Sequence, residues 1–303
     1  MTRAARGTVR PVAASLVAFT LALALAAPAR ADPPCPGVFA DGRTPAILNP
    51  RLSVGTVPLC YDAFAVLHSG VSRTPVYAAE HLTRAGVAAA RRVDRIDEFH
   101  EEARLPQGAR ASLADYVRSG YDRGHMAPAG DMPTLAAQAQ SFTLANIVPQ
   151  DRTANRTVWA GIEESVRRLA TERGSLFVVT GPIFSGGSVR SLDGRVLVPT
   201  QIYKAVYDPG RGAAAAYLAA NDAGGSWRAV SLADLRDAAG IDVFPGLPDP
   251  VKAAAMPLPE PREFARDEAR GEHREGASLG SWARHALHRA LRRLWRDLVR
   301  AVF

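Results

Sequence analysis

Cysteine is scarce in this chain of 303 residues, which contains only Cys35 and Cys60. Neither cysteine has a sequence context that would activate a thiolate, so a thiol-dependent enzyme is poorly supported. In an oxidising compartment an isolated pair is typical of a disulfide, and we predict that these two residues are bonded. Closing a loop of this length stabilises a fold by roughly 3 kcal/mol in the chain-entropy description.

The sequence also lacks the signatures of two other classes of protein. The H-E-x-x-H motif of zinc hydrolases does not occur, and no internal repeat is detectable. A zinc hydrolase of that type and a repeat architecture are therefore not expected.

A broad basic surface is absent from the central part of the chain, although the whole chain has a formal net charge of +7. Residues 1–31 carry four arginines and no acidic residue, and residues 279–303 carry six arginines against Asp297. Subtracting these contributions of +4 and +5 leaves −2 for residues 32–278. Binding of a phosphate-rich ligand must therefore depend on a local arrangement of cations rather than on bulk charge.

The first 31 residues have the organisation of a secretory signal peptide. Three arginines precede an apolar run over 12–27, and Ala29-Arg30-Ala31 matches an A-x-A cleavage site. We expect cleavage after Ala31 and a secreted or periplasmic protein. An uncleaved membrane anchor is the alternative, but the run is short for a spanning helix and ends in small residues.

Composition divides the remainder of the chain into four segments. Residues 32–72 are rich in proline and glycine and predict an irregular lead-in that carries the disulfide. Residues 73–252 have the pattern of a globular domain. Residues 253–278 combine prolines with dense charge and predict a linker, and residues 279–303 predict a basic amphipathic helix.

Within the domain, strands and helices follow one another without a regular strand–helix–strand repeat. Apolar patterning predicts strands over 74–82, 175–184, 196–208 and 213–221. It predicts helices over 155–170 and 231–240, the second with Ser231 as its N-cap and Gly240 at its end. This mixture predicts an α+β fold.

The helix predicted over 155–170 combines apolar and polar groups on one face. On a helical wheel that starts at Asn155, an apolar stripe is formed by Val158, Trp159, Ile162, Val166 and Leu169. Glu163 lies at the border of this stripe, and Glu164 faces the solvent. An inward amide and carboxylate form a candidate site for a hard cation such as Mg²⁺, which prefers oxygen ligands. The structural alternative is that Asn155 caps the helix and Glu163 pairs with Arg167.

A second cluster of polar residues precedes this helix, in the sequence SGYDRGHMAPAGDM over 119–132. An acid, an arginine, a glycine and a histidine occupy consecutive positions there. By itself, such a histidine is often only a partly buried packing residue. We expect Asp122 to orient its neighbours or to pair with Arg123, and Gly124 to allow a tight turn beside His125.

The residues that follow this quartet favour a catalytic role for His125 over a packing role. The segment NIVPQ begins at Asn146, a second asparagine follows at Asn155, and Trp159 and Glu163 complete a W-x-x-x-E pattern. Together with the quartet, this spacing resembles the DNA/RNA non-specific endonuclease family, which comprises ββα-metal (His-Me finger) nucleases. The resemblance covers roughly residues 73–250 and implies an α+β fold with a central, mostly antiparallel sheet flanked by helices.

The resemblance implies that His125 is the general base that takes a proton from the attacking water. An imidazole titrates near neutral pH, which suits this role. Asn155 would be the direct protein ligand of one Mg²⁺ ion, with Mn²⁺ as the alternative, and Glu163 would hold waters around it. A cation at this position would stabilise the charge that develops on the phosphoryl group.

The same resemblance implies that Arg123 and Arg95 contact the scissile phosphate and that Asn146 supports the site. A guanidinium suits the first role because its planar fork can engage two phosphate oxygens at once. DNA and RNA are the substrates that the resemblance implies. The alternative is a catalytically inactive nucleic-acid-binding or envelope-associated protein on the same scaffold, which would require the loss of His125 or Asn155.

Residues 279–303 lie outside the resemblance and form an amphipathic pattern. An apolar stripe from Ala286 to Val302 is bordered by six arginines and accompanied by Trp282 and Trp295. The stripe suits packing on protein, binding to an anionic membrane surface, or tethering of nucleic acid. A membrane-spanning segment is excluded, because so many arginines are costly within a bilayer. Liposome co-sedimentation and DNA binding by the full chain and by a truncation ending at Ser278 distinguish the three roles.

Overall fold

A seven-stranded antiparallel sheet organises the part of the chain that the structure describes. This computed structural model describes residue 1 and residues 35–261. The predicted signal peptide, the predicted C-terminal helix and the predicted linker from residue 262 onwards lie outside the described residues. Among the described residues, no helix is long and apolar enough to cross a membrane.

The regular elements follow one another in a mixed order along the chain. The strands are β1 (Ala46–Ile47), β2 (Thr56–Cys60), β3 (Phe64–Ser69), β4 (Thr74–Thr83), β5 (Asp122–His125), β6 (Ile147–Gln150), β7 (Ser175–Ile183), β8 (Ser191–Leu192), β9 (Val196–Leu197), β10 (Gln201–Asp208), β11 (Ala213–Ala220), β12 (Trp227–Val230) and β13 (Ile241–Asp242). The α-helices are α1 (Arg84–Ala90), α2 (Leu135–Ser141), α3 (Arg152–Ala154), α4 (Ala160–Arg173), α5 (Leu232–Ala239) and α6 (Asp249–Ala253). A π-helical turn, Asn155–Trp159, joins α3 to α4. Short 3₁₀ helices cover Pro36–Val38, Ala40–Gly42, Pro50–Ser53, Gln107–Ala109, Leu113–Tyr116, Ala129–Asp131 and Leu144–Asn146.

The central sheet has the strand order β12-β11-β10-β7-β4-β3-β2, and every pairing within it is antiparallel. The α+β class and the antiparallel sheet predicted from the sequence are confirmed. Alternate residues of β7 reach opposite faces, so that Leu176 and Val178 pack in a first apolar core and Phe177 and Val179 in a second. Burial of both faces explains why this strand is a nearly continuous apolar run.

Helices cover the two faces of the sheet. On the first face the predicted apolar stripe of the long helix is buried, and four of its members are at most 4% exposed: Trp159, Ile162, Val166 and Leu169. On the second face α5 packs its apolar residues into the other core. The predicted ends of α5 are confirmed, because Ser231 caps it and Gly240 ends it in the left-handed conformation at φ +69°.

A separate two-stranded ribbon leads into the long helix. β5 and β6 pair in antiparallel fashion, with Asp122 opposite Gln150 and His125 opposite Ile147. Ile147 packs in a third apolar core, whereas the next residue, Val148, packs in the first core. The ribbon is therefore anchored on both of its faces before α3 begins.

The N-terminal segment is more regular than its composition predicts. An irregular lead-in is expected over 32–72, but β2 and β3 are two strands of the central sheet. Phe64 and Val66 of β3 are fully buried in the first core. Pro58 of β2 lies in an edge strand, where a missing N–H is tolerated.

The C-terminal end of the domain also differs from the prediction. Composition places residues 255–260 in a linker, yet they lie against the domain. Tyr217 donates its hydroxyl to the carbonyl oxygen of Pro259 at 2.6 Å. Met256 and Leu258 pack against the first core. Their alternate spacing directs both side chains to the same face of an extended segment.

The predicted disulfide is present and joins Cys35 to Cys60, the last residue of β2. Cys35 is buried within the second core. Because the two cysteines are separated by 25 positions, the bond closes a long loop and ties the first described residues to the edge of the sheet.

Replacing both cysteines, with Cys35→Ser and Cys60→Ser, is expected to lower the free energy of unfolding by roughly 3 kcal/mol, because the unfolded chain loses a closed loop. Urea denaturation followed by circular dichroism measures this difference. As a control, reducing agent should destabilise the wild-type protein to the same extent and leave the double variant unaffected. Equal stability of the oxidised protein and the double variant would contradict a stabilising role for the bond.

Candidate active site

His125 ends β5 in an aromatic environment. Its ring centroid lies 4.9 Å from that of Phe142 and 5.4 Å from that of Phe99. The two phenylalanines contact each other edge to face at 4.9 Å. Because only 9% of His125 is exposed, the two rings restrict the orientation of the imidazole and leave a small part of it accessible.

Two arginines stack on the same pair of phenylalanines. The guanidinium carbon of Arg123 lies 4.1 Å from the ring centroid of Phe99, and that of Arg95 lies 5.4 Å from the centroid of Phe142. Both arginines are exposed. The structure therefore brings Arg95 close to His125, although the two residues are distant in the sequence.

Asn146 is completely buried and holds the chain that follows His125. Its amide nitrogen donates to the carbonyl oxygens of Ala127 and Ser141 at 2.8 and 2.9 Å. Its side-chain oxygen accepts from the backbone N–H of Ala127 at 2.9 Å. These three hydrogen bonds use the amide within the protein, so its position is that of a structural support.

The helix that carries Asn155 begins earlier than its apolar pattern predicts. Asp151 is the N-cap, and its side chain accepts from the backbone N–H groups of Thr153 and Ala154. Asn155 is therefore not the cap, and its side chain is free to make other contacts. It is the first residue of the π-helical turn, a type of turn found frequently at functional sites.

Asp122 connects β5 to this helix. Its carboxylate accepts one hydrogen bond from Asn155 Nδ2 at 3.0 Å and two from the Arg156 guanidinium at 2.8 Å each. Arg152 lies 3.8 Å away. Partial burial works against the charged form, but the hydrogen bonds from Arg156 and Asn155 outweigh it and hold the pKa of Asp122 below its usual range. The predicted alternative of a pair with Arg123 is therefore wrong.

The contact with Asp122 leaves the side-chain oxygen of Asn155 for a further ligand. Nδ2 is the donor to Asp122, and Oδ1 accepts no hydrogen bond from the described residues. Amide oxygens are ligands that hard cations prefer. No group of three or more His, Cys, Asp or Glu side chains among the described residues could hold a metal ion. Asn155 Oδ1 is therefore the atom of this group that has the chemistry to bind a hard cation.

Glu164 has different surroundings from those that the helical wheel predicts. Only 26% of the Glu164 side chain is exposed, and it pairs with Arg167 at 2.8 Å and with Arg91 at 3.7 Å. The expectation that Glu164 faces solvent is wrong because α1 packs beside α4 and covers this face. Arg167 pairs with Glu164, so the predicted alternative of a Glu163–Arg167 ion pair is not formed. Burial raises the pKa of Glu163 against the opposing charge of Arg167.

Two buried ion pairs that the sequence did not reveal lie near Glu163. Arg167 donates to Asp131 at 2.8 Å, and Lys204 donates to Glu80 at 3.3 Å. Burial raises the pKa of Glu80, although the Lys204 ammonium opposes this. The position of Arg167 one helical turn after Glu163 indicated that these two residues are close, but it did not indicate the pair with Asp131. Lys204 and Glu80 lie in separate strands, so no local pattern connects them.

Several of these side chains line one open cleft of about 340 Å³. Its polar lining consists of Arg95, Asp97, Asp122, Arg123, Arg152, Asn155 and Arg156. Its apolar lining consists of Phe99, Leu113, Tyr116, Val117 and Tyr121. Three predicted site residues, Arg95, Arg123 and Asn155, therefore border one cavity, and His125 contacts it through Phe99. Asn146 and Glu163 are not part of this lining.

Comparison with known proteins agrees with this geometry. The family model for DNA/RNA non-specific endonucleases matches residues 46–250, more than half of the chain. The chain belongs to the DNA/RNA non-specific endonuclease family. The match begins before β2, in agreement with the inclusion of β2 and β3 in the central sheet.

Curated relatives of this family member are nucleases. Nuclease C1 of Cunninghamella echinulata var. echinulata is 37% identical over 160 residues, which cover 49% of this chain and 64% of the relative. The mitochondrial Nuclease EXOG of Homo sapiens is 32% identical over 216 residues, which cover 64% of this chain and 58% of the relative. The chain thus spans less than two thirds of the length of either relative.

A solved structure supports the fold of the family. The crystal structure of an EndoG/EndoGI complex matches with a TM-score of 0.59 and 24% sequence identity. The match covers 66% of this chain and 91% of that chain. At this level of identity the similarity shows a common fold.

The glycine of the quartet in this family member has a steric function. A Cβ atom on Gly124 would lie 2.6 Å from the Cβ of Gln150, which is buried on the paired strand. Gly124 is not among the glycines with positive φ. The tight turn expected beside His125 is therefore not the reason for this glycine. Its hydrogen atom instead leaves room for Gln150 to pack across the ribbon.

The variant Gly124→Ala is expected to lower the free energy of unfolding by about 1–3 kcal/mol, because overpacking forces the ribbon backbone to shift. The matched control is Gly108→Ala, where an added Cβ meets no atom within 4 Å. Chemical denaturation of both variants measures the difference. A Gly124→Ala protein as stable as the control would show that the ribbon accommodates the methyl group.

Proposed function

We propose that this protein is a divalent-metal-dependent endonuclease that hydrolyses phosphodiester bonds of DNA and RNA without sequence preference. The observation that carries the proposal is the convergence of Arg95, Arg123 and Asn155 on one cleft, with His125 in contact with Phe99 of its lining. Membership of the family over residues 46–250 supports the same activity.

Arg123 and Arg95 bind the scissile phosphate in this proposal. A guanidinium can donate to two phosphate oxygens, and such charge-assisted hydrogen bonds are short and strong. Stacking on Phe99 and Phe142 restricts the two guanidiniums before substrate arrives. Less side-chain freedom is then lost on binding, which favours affinity.

His125 takes a proton from the attacking water. Its contacts with Phe142 and Phe99 limit the orientations of the imidazole, which shortens the search for a productive geometry. Asn146 holds the backbone of Ala127 by two hydrogen bonds and so fixes the chain on the C-terminal side of the base. Positioned general bases contribute about 10²–10⁴-fold to rates.

Asn155 would hold one divalent cation through its Oδ1 atom, and Mg²⁺ and Mn²⁺ are both chemically suitable. When bound, the cation supplies positive charge that stabilises the phosphoryl group and the leaving oxygen. Asp122 holds the amide nitrogen of Asn155, and Arg156 neutralises Asp122. Glu163 lies about two helical turns after Asn155 and would accept hydrogen bonds from waters around a bound cation.

We also propose that the protein acts outside the cytoplasm, as a secreted or periplasmic enzyme. The charged start, the apolar run and the A-x-A pattern before Asp32 support cleavage after Ala31. The bond between Cys35 and Cys60 supports the same location, because disulfides persist in oxidising compartments. N-terminal sequencing of the exported protein tests this, and an intact N-terminus at Met1 would contradict it.

Cleavage of plasmid DNA and of an RNA transcript, with Mg²⁺ and with EDTA, tests the proposed activity. His125→Ala is expected to lower the rate by at least about 10²-fold, because the general base is lost while the fold is retained. The control is His81→Ala, since the His81 ring stacks on Phe177 at 4.2 Å and does not line the cleft. Full activity in EDTA, or near-normal activity of His125→Ala, would contradict the mechanism.

Asn155→Ala separates the metal ligand from the base. Binding of Mn²⁺, followed by electron paramagnetic resonance, should weaken in Asn155→Ala and stay unchanged in His125→Ala, because only the first variant removes a ligand oxygen.

Nucleic-acid binding without cleavage by the wild-type protein under all metal conditions would instead support the inactive scaffold.

A further inference from the structure

The cleft has an apolar wall that the proposed chemistry does not use. Leu113, Val117 and Tyr121 line the same cavity as Arg123 and Asn155. Hydrolysis of a phosphodiester needs positive charge, a base and a cation, and these three side chains supply none of them. The wall is therefore free to contact another part of the substrate.

Two members of this wall are well exposed for apolar side chains. Val117 is 64% exposed and Leu113 is 39% exposed. Neighbouring apolar side chains that remain exposed beside a polar cleft are typical of a binding surface. Tyr121 packs against the third core, and its ring centroid lies 5.7 Å from the guanidinium carbon of Arg190.

The turn that presents the wall is held in place by polar contacts. Ser112 and Asp115 form a capping box around the 3₁₀ helix that begins at Leu113. Asp115 is buried and accepts a hydrogen bond from Arg195 Nε at 2.9 Å. Tyr116 packs in the third core. These contacts fix the turn, and the turn holds Leu113 and Val117 in their exposed positions.

The polar lining and the apolar wall of the cleft match the phosphate and the base of a nucleotide. Arginines outnumber aspartates in the polar lining by four to two, which suits a phosphate. A nucleobase has a flat face that stacks on aromatic side chains and packs against other apolar side chains. In a duplex these faces are covered by stacked neighbours, whereas in a single strand they are accessible to protein.

We infer that Leu113, Val117 and Tyr121 form a base-contact subsite that selects an unpaired nucleotide next to the scissile phosphate. The inference rests on the proposed function, because it takes the phosphate to lie against Arg123. Single-stranded DNA or RNA is then a better ligand of the cleft than an intact duplex.

Binding in EDTA tests the subsite without cleavage. The probes are a fluorescein-labelled oligothymidylate and a strand of equal length built from abasic tetrahydrofuran nucleotides, which keeps the phosphates and lacks the bases. The test variant carries Leu113→Ser and Val117→Ser. The matched control carries Leu48→Ser and Val71→Ser, because these side chains are 54% and 58% exposed and line a different cavity.

Fluorescence anisotropy should show that the wild-type protein and the control bind oligothymidylate about tenfold more tightly than the abasic strand. The test variant should lose most of this preference and bind the abasic strand and a duplex as the wild-type protein does. Equal binding of both strands by the wild-type protein, or equal losses on both strands in the test variant, would overturn the subsite.

Cleavage of the same strands in Mg²⁺ distinguishes failure of the subsite from failure of the proposed function. Base-dependent binding without any cleavage would overturn the nuclease activity and leave the subsite supported. Cleavage with base-independent binding would overturn the subsite and leave the nuclease activity supported.

Discussion

The carboxylate of Asp122 is the contact on which the arrangement of the candidate site depends. It accepts hydrogen bonds from Asn155 at 3.0 Å and from Arg156 at 2.8 Å, and so joins the strand that ends at His125 to the start of the long helix. This contact sets the position of the proposed metal ligand relative to the strand of the proposed base. It also leaves the Asn155 oxygen for a cation, while Arg156 neutralises a carboxylate that would otherwise repel phosphate.

Charge around the site is compensated in the interior as well. Arg167 pairs with Asp131, and the fully buried Lys204 pairs with Glu80. Removing ions from water costs several kcal/mol each, so buried pairs contribute less to stability than apolar packing of the same volume often does. These charges act on the pKa of Glu163, and this electrostatic effect is more important than their contribution to the stability of the sheet. Removing one partner of such a pair would leave a buried charge without compensation, which is strongly destabilising. The pairs therefore connect α4 with the loop after His125, and β4 with β10.

Elements with strong local signals were predictable, and those that depend on neighbours were not. The apolar run of β7 and the caps of α5 at Ser231 and Gly240 are local patterns, and both predictions are confirmed. β2 escaped prediction because Pro58 suggests irregular structure, and only its place at the edge of the sheet makes the proline tolerable. The partial burial of Glu164 was missed because α1 packs against a face that a helical wheel treats as open. The π-helical turn at Asn155 also breaks the constant rotation that such a wheel assumes.

Residue types at fixed spacing in the sequence determined the family of this protein and the candidate roles of His125 and Asn155. Catalytic chemistry demands particular side chains, and the local order of strand, turn and helix keeps their spacing in the chain constant. Tertiary structure alone decided the partner of Asp122, the packing reason for Gly124 and the aromatic contacts that hold His125. Those features join residues that are far apart in the sequence or lie on different strands, and their contacts arise from packing of the whole domain, which no local propensity encodes.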